Sequence, residues 1–123
     1  MWLATKHGFY SIVKKEDGFH VRARIKKDLE NLLKECGYSR HRIQEDELAD
    51  YRFRAIVSQI GIDRIFETLS KGIDYDNFKN KIRDTEDQFD KMLPYGTIWL
   101  SMAFMQDEKY GKEEDTEINH SAA

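Results

Sequence analysis

The chain has 123 residues and a mass of 14.6 kDa, the size of one domain that buries about two-thirds of its unfolded surface. A hydrophobic fraction of 40% and a charged fraction of 35% exclude wholesale disorder and indicate a well-solvated exterior. The sequence has no apolar run of about 20 residues, no secretion leader and only one cysteine, Cys36, so we expect a cytoplasmic protein without membrane contact or disulfide.

The first elements are two short strands and a third that alternates strictly. Residues 1–5 and 9–14 are apolar-rich runs separated by Lys6-His7-Gly8, which predicts a hairpin. After a second turn signal at residues 16–18, residues 19–25 alternate apolar and polar side chains, as a strand with one buried face does.

The hydrophobic period then changes to that of a helix. Leu29, Leu32, Leu33 and Cys36 stand at i, i+3, i+4 and i+7, and Gly37 follows as a helix-ending glycine. A polar loop over residues 38–50 leads to a second unit of the same kind, an alternating strand at 51–57 and a helical stripe at 62–69 closed by a glycine.

The remaining chain is predicted to be helical. A turn of helix is expected to begin near Asp76 or Asn77, and one or two further helices from Asp84 onward are expected to pack on the core. Pro94, the only proline, should kink that element or begin a new helix. The apolar residues Trp99, Met102, Phe104 and Met105 are expected to form core or an oligomer surface, and the oligomeric state is left open.

The end of the chain is acidic. Residues 107–123 contain six acids and two lysines, a net charge of −4 within a total of −3, so residues 1–106 carry +1. Because this segment has no apolar periodicity, we predict a single domain over residues 1–106 followed by a disordered tail over 107–123.

These elements predict an α+β fold, a small antiparallel or mixed sheet of about four strands with helices on one face, of the ferredoxin-like type, plus a C-terminal helical segment. A strand–helix–strand crossover would set the two alternating strands parallel. The apolar face of these two strands, which the helices are expected to cover, contains Phe19, Val21, Ala23 and Ile25 with Tyr51, Phe53, Ala55 and Val57. The opposite face contains His20, Arg22, Arg24, Arg52 and Arg54.

Four arginines on one sheet face are suited to an anion. Guanidinium groups bind phosphate and carboxylate bidentately, and Trp2 or Tyr10, depending on register, could stack on a nucleobase. The alternative is that these arginines form weak surface ion pairs with Glu16, Asp17, Asp50, Asp74 or Asp76, or that the C-terminal helical segment covers them.

Other chemistry has less support in the sequence. No histidine pair has helical i, i+4 spacing, which argues against a metal site, and no phosphate-loop, dinucleotide or nucleophile-elbow motif implies a cofactor or catalytic residue. His20 is the best acid–base candidate because it would lie beside Arg22, while Cys36 completes an apolar stripe and is expected to pack.

Several motifs together carry a family resemblance. The chain begins with the pattern MWxxTxxGFxS over residues 1–11 and continues with VRAR at 21–24, DYRxR at 50–54 and YxNFK at 75–79. This combination resembles a family of short bacterial and phage proteins across residues 1–106. The resemblance implies an organisation and a source, not an activity. It also nominates Thr5, Ser11, Asp50, Asn77 and Lys79 as polar companions of the arginines.

Three functions of different classes follow. The first is a non-enzymatic binding module that captures a nucleotide or short RNA on the arginine-bearing sheet face, with a small nucleotide favoured because the net charge is not basic. The alternative is a protein-interaction module, such as a phage-type inhibitor or regulator that docks on a larger host protein. Phosphodiester hydrolysis with His20 as general acid–base is the third hypothesis.

Overall fold

The computed structural model describes residues 1–111, and these divide into two compact units, Met1–Asp74 and a second unit that begins at Tyr75. Residues 112–123, most of the segment predicted to be a disordered tail, lie outside the described residues. The prediction that residues 1–106 form one domain stays a prediction.

The first unit is built on a five-stranded sheet in which every pairing is antiparallel. Its strands are β1 (Trp2–Ala4), β2 (Phe9–Lys15), β3 (Gly18–Ala23), β4 (Gln44–Glu45) and β5 (Phe53–Val57), and their order in the sheet is β1-β2-β3-β5-β4. The predicted α+β class is therefore confirmed, with one strand more than expected. The additional strand, β4, is a two-residue edge strand of exposed polar side chains inside the predicted loop.

Two helices, α1 (Lys26–Cys36) and α2 (Gln59–Lys71), pack on one face of the sheet. The core joins Tyr10, Ile12, Val21, Ala23, Ala55 and Val57 of the strands to Leu29, Leu32, Leu33, Cys36, Ile62 and Ile65 of the helices. Gly37 ends α1 with φ +80°, as its position predicts. Ile25 does not extend the apolar face of β3, because the strand ends at Ala23 and Ile25 is exposed at the start of α1.

The predicted parallel pairing of the two alternating strands is wrong, since β3 and β5 are antiparallel. After α1 the chain passes a 3-10 turn over Arg40–Arg42 and forms β4, which pairs with β5 and runs in the same direction as β3. The crossover through α1 therefore connects two strands that run in the same direction, β3 and β4. β5 returns between them, so it enters the sheet in the opposite direction.

The second unit contains α3 (Phe78–Arg83), a 3-10 segment over Glu86–Lys91, and α4 (Met92–Tyr110). The Asn77 side chain accepts a hydrogen bond from the backbone N–H of Asn80 and so caps α3, where a helix start was predicted. Pro94 lies in the first turn of α4, where the helix needs no N–H donor.

The prediction that the last helices pack on a core is wrong for α4. None of its residues is buried, although its apolar content led us to expect that the helix would pack against other parts of the chain. The helix also continues to Tyr110, so residues 107–110 of the segment assigned to the tail belong to it.

Candidate functional site

A row of side chains crosses the sheet on the face opposite the helices. The register aligns Trp2 with Ser11, Ser11 with Arg22, Arg22 with Arg54, and Arg54 with Gln44. Directly opposite residues on neighbouring strands project to the same face. The residues Ser11, His20, Arg22 and Arg54, together with Tyr51, are called the arginine face below.

Arg22 and Arg54 face each other from the two central strands of this row. The Arg22 Nη2 donates to Ser11 Oγ at 2.7 Å, while its Nε is buried and has no hydrogen-bond partner among residues 1–111. The Arg54 Nη1 lies 3.1 Å from His20 Nδ1. Within residues 1–111, neither guanidinium forms an ion pair with a carboxylate.

His20 connects Arg54 to an acid. A guanidinium can only donate, so the Nδ1 atom of His20 accepts from Arg54, and its Nε2 carries the proton toward Asp17 Oδ1 at 2.7 Å. The hydrogen bond from His20 holds the pKa of Asp17 below its ordinary value. With the imidazole only 6% exposed and both nitrogens engaged in these contacts, His20 positions Arg54 rather than presenting a free acid or base.

Tyr51 lies on this face and not with the core residues where alternation placed it. Its ring lies under two guanidiniums, with the Cζ atoms of Arg22 and Arg24 at 4.7 and 4.2 Å from the ring centroid. The alternation fails here because β5 begins only at Phe53, and Tyr51 is in the bend before it. The buried ring thus supplies a cation–π surface beneath Arg22.

The other two arginines are neutralised. Arg24 donates to the Asp50 carbonyl at 3.0 Å and lies 3.5 Å from its carboxylate. Arg52 binds Glu45 at 2.7 Å, with Glu47 at 3.9 Å. Surface ion pairs therefore account for Arg24, with the Asp50 that the alternative interpretation named, and for Arg52, with Glu45 and Glu47, which it did not name. Within residues 1–111 they do not account for Arg22 and Arg54.

The remaining nominated residues are distributed around the two units. Trp2 lies in the row at the sheet edge and is 76% exposed, whereas Tyr10 is in the core and donates to the Asp28 carbonyl at 2.6 Å, so of the two aromatic candidates only Trp2 is in the row. Thr5 is hydrogen-bonded within the β1–β2 turn. In the second unit, Asn77 caps α3 and Lys79 is exposed on it.

The sequence interpretation missed a second tyrosine whose ring contacts two arginines. Arg42 and Arg64 place their Cζ atoms 4.6 and 5.0 Å from the Tyr38 ring centroid, and within residues 1–111 neither forms an ion pair. The Arg40-His41-Arg42 run was a visible signal, but Arg64 comes from α2 and no local pattern links the two. Both arginines are exposed, in contrast to the half-buried pair on the arginine face.

Residues 1–111 give little support to a metal site or to a nucleophilic cysteine. No group of three or more His, Cys, Asp or Glu side chains in this part of the chain could hold a metal ion. Burial raises the pKa of the Cys36 thiol, which disfavours the thiolate needed for nucleophilic attack. No helix of the described chain has the length and apolar character needed to cross a bilayer.

Comparison of the chain with protein-family models, curated proteins and solved structures gives no match. The resemblance to short bacterial and phage proteins therefore stays a prediction, and the function has to be argued from the arginine face itself.

Proposed function

We propose that the protein is a binding module that captures a small phosphate-bearing ligand, a nucleotide in preference to a longer RNA, on the arginine face. The observation that carries the proposal is the opposition of Arg22 and Arg54 on adjacent central strands without a carboxylate partner in residues 1–111. Like charges directly opposite one another destabilise a sheet. An anion between them would remove that repulsion and accept several N–H donors.

The surroundings of the pair favour a planar phosphorylated ligand. Ser11, His20 and Tyr51 fix the two guanidiniums through neutral contacts, so the positive charge of the pair is retained. Trp2 is two strands from Arg22 in the same row, a separation of about 10 Å, which is comparable with the length of one nucleotide. A base stacked on Trp2 could therefore place its phosphate at the arginine pair.

The proposal predicts a ligand-induced thermal shift that depends on Arg22 and Arg54 and not on the other arginines. The protein is heated with mono-, di- and cyclic nucleotides, short RNAs and inorganic phosphate at moderate salt. A ligand at about 100 times its Kd adds roughly 2.7 kcal/mol to the free energy of unfolding, which raises the Tm by several degrees. The variant Arg22→Ala/Arg54→Ala should lose that shift.

Two matched variants test whether the effect is specific. Arg24→Ala/Arg52→Ala removes the same charge from the neutralised arginines, and Arg42→Ala/Arg64→Ala removes it from the other tyrosine-stacked pair. Both should keep the shift. The proposal is wrong if no ligand shifts the natural protein, or if all three variants lose the shift equally, which would indicate only general charge attraction.

Docking on a larger host protein is the second candidate function. One observation favours it, the apolar surface that α4 exposes. A stable one-to-one complex that is unaffected by Arg22→Ala/Arg54→Ala would support this candidate over nucleotide capture.

A further inference from the structure

The second tyrosine with two arginines lies on the helix side of the first unit. Tyr38 follows α1, Arg42 is the last residue of the 3-10 turn, and Arg64 belongs to α2. Ile60 precedes Arg64 by four residues on α2, so the two side chains share one face of that helix. The residues Tyr38, Arg42, Ile60 and Arg64 are called the Tyr38 cluster below.

The local structure holds both guanidiniums of the Tyr38 cluster in place. The Ser39 side chain accepts a backbone N–H at 3.1 Å and so caps the turn that carries Arg42. The Arg64 Nη2 lies over Gly37, 3.4 Å from the position that a Cβ would occupy, so the glycine that ends α1 leaves room for it. Both guanidiniums contact the Tyr38 ring. A side chain that is already positioned loses little conformational entropy when a partner binds.

The charge of the two arginines is retained. Neither forms an ion pair within residues 1–111. Asp63 precedes Arg64 on α2, but its carboxylate accepts from the Gln59 amide at 3.0 Å. Glu67 lies nearly one turn further along, and its carboxylate accepts from Lys71 Nζ at 2.8 Å. Two exposed guanidiniums are therefore available to an anionic group.

The other two members of the cluster indicate the kind of molecule that would carry the anion. Ile60 is 80% exposed, and covering it is favourable only for an apolar group. Tyr38 is half-buried, packs against the core and already contacts two guanidiniums, so it is a poor stacking platform for a nucleobase. A chain of phosphates would use the arginines and leave Ile60 uncovered. A protein segment with carboxylates beside an apolar side chain would contact the whole cluster.

We propose that the Tyr38 cluster docks an acidic segment of a partner protein, with carboxylates on Arg42 and Arg64 and an apolar side chain on Ile60. Guanidinium groups bind carboxylates bidentately, and arginine clusters are a recurrent means of recognising acidic motifs. Tyrosine and arginine are also enriched among the residues that contribute most to protein interfaces. The cluster is separate from the arginine face, because α1 and α2 pack on the opposite side of the sheet. The proposal therefore does not rest on nucleotide capture.

Selection of a random peptide library displayed on phage against the full chain tests the proposal. The selected peptides should be enriched in aspartate or glutamate next to leucine, isoleucine or phenylalanine. Each peptide is then synthesised with a fluorescent label, and its affinity is measured by fluorescence polarisation. Arg42→Gln/Arg64→Gln keeps a planar polar group at each position but removes the charge, and it should weaken binding at least tenfold. Ile60→Ser should weaken binding several-fold, because the apolar contact is lost.

The matched control is Arg24→Gln/Arg52→Gln, which makes the same change at two arginines that carboxylates already neutralise and should leave peptide binding unchanged. Circular dichroism checks the fold of each variant, and Ile60→Ser, at an exposed position, decides the question if the arginine variant does not fold. A selection that yields no acidic peptides would overturn the proposal, as would peptides that bind both cluster variants as tightly as the natural protein. If a short single-stranded RNA is the only probe whose binding depends on Arg42 and Arg64, the cluster is a nucleic-acid surface and the proposal is also overturned.

Discussion

Replacing Gly8 with alanine is expected to lower the free energy of unfolding by roughly 3 kcal/mol. Gly8 has φ +153°, which an L side chain rarely adopts, and a Cβ at this position would collide with the Cβ and Cγ of Asp28. Asp28 cannot easily give way, because it is buried in the first turn of α1 and its Oδ2 accepts from the Phe9 N–H at 3.2 Å. Overpacking and backbone strain each cost about 1–3 kcal/mol.

Urea unfolding monitored by circular dichroism measures this loss, and Gly96→Ala is its control. Gly96 lies inside α4, and a Cβ there meets nothing within 4 Å. Alanine in a helix interior is about 0.5–1 kcal/mol more favourable than glycine, so this variant should be neutral or stabilised. A Gly8→Ala protein as stable as the natural one would mean that β1 and β2 do not approach α1 as described.

Replacing Tyr51 with alanine is expected to cost about 3–5 kcal/mol of stability and also to abolish anion binding on the arginine face. The stability loss follows from deleting a buried aromatic ring. The binding loss follows because the ring supports the guanidiniums of Arg22 and Arg24 at 4.7 and 4.2 Å. Without that support, the Arg22 side chain has only its hydrogen bond to Ser11 to hold it in the row.

The variant Tyr51→Phe separates the ring from the hydroxyl. It keeps the cation–π surface, so both stability and the ligand-induced thermal shift should remain close to those of the natural protein. Binding by Tyr51→Ala is measured by calorimetry under conditions where circular dichroism shows a folded chain. If phenylalanine is as damaging as alanine, the hydroxyl and not the ring holds the arginines.

Local periodicity was sufficient to predict most elements of the first unit. The alternation at residues 19–23 follows from the geometry of a strand, and the apolar spacing from Leu29 to Cys36 follows from that of a helix. Both patterns are local to their own segment. The direction of β5 could not be predicted in this way. It depends on β4, whose two exposed polar residues have no apolar pattern and were interpreted as loop.

The candidate site was predictable in part for the same reason. Alternation places Arg22 and Arg54 on one face, but it cannot distinguish them from Arg24 and Arg52. That distinction depends on Asp50, Glu45 and Glu47, which reach the arginines only through the turns and the edge strand. Tyr51 was misassigned because a bend before β5 interrupts the alternation.

The apolar content of α4 raised a different difficulty. Hydrophobic residues indicate that a helix will be covered, but they do not identify what covers it. The sequence therefore left a core and an oligomer surface open as alternatives for Trp99, Met102, Phe104 and Met105, and in the structure these four side chains are exposed.

The strand order has a consequence for when the arginine face can exist during folding. Ser11 and Arg22 are brought together by a short hairpin turn, whereas Arg54 reaches Arg22 only after α1, the 3-10 turn and β4 have been traversed. The entropy of closing that long loop makes the β3–β5 pairing a late, non-local step. We therefore expect a chain arrested before this step to present only one of the two guanidiniums of the pair. An anion that needs both should bind the completed sheet and not the partly folded forms.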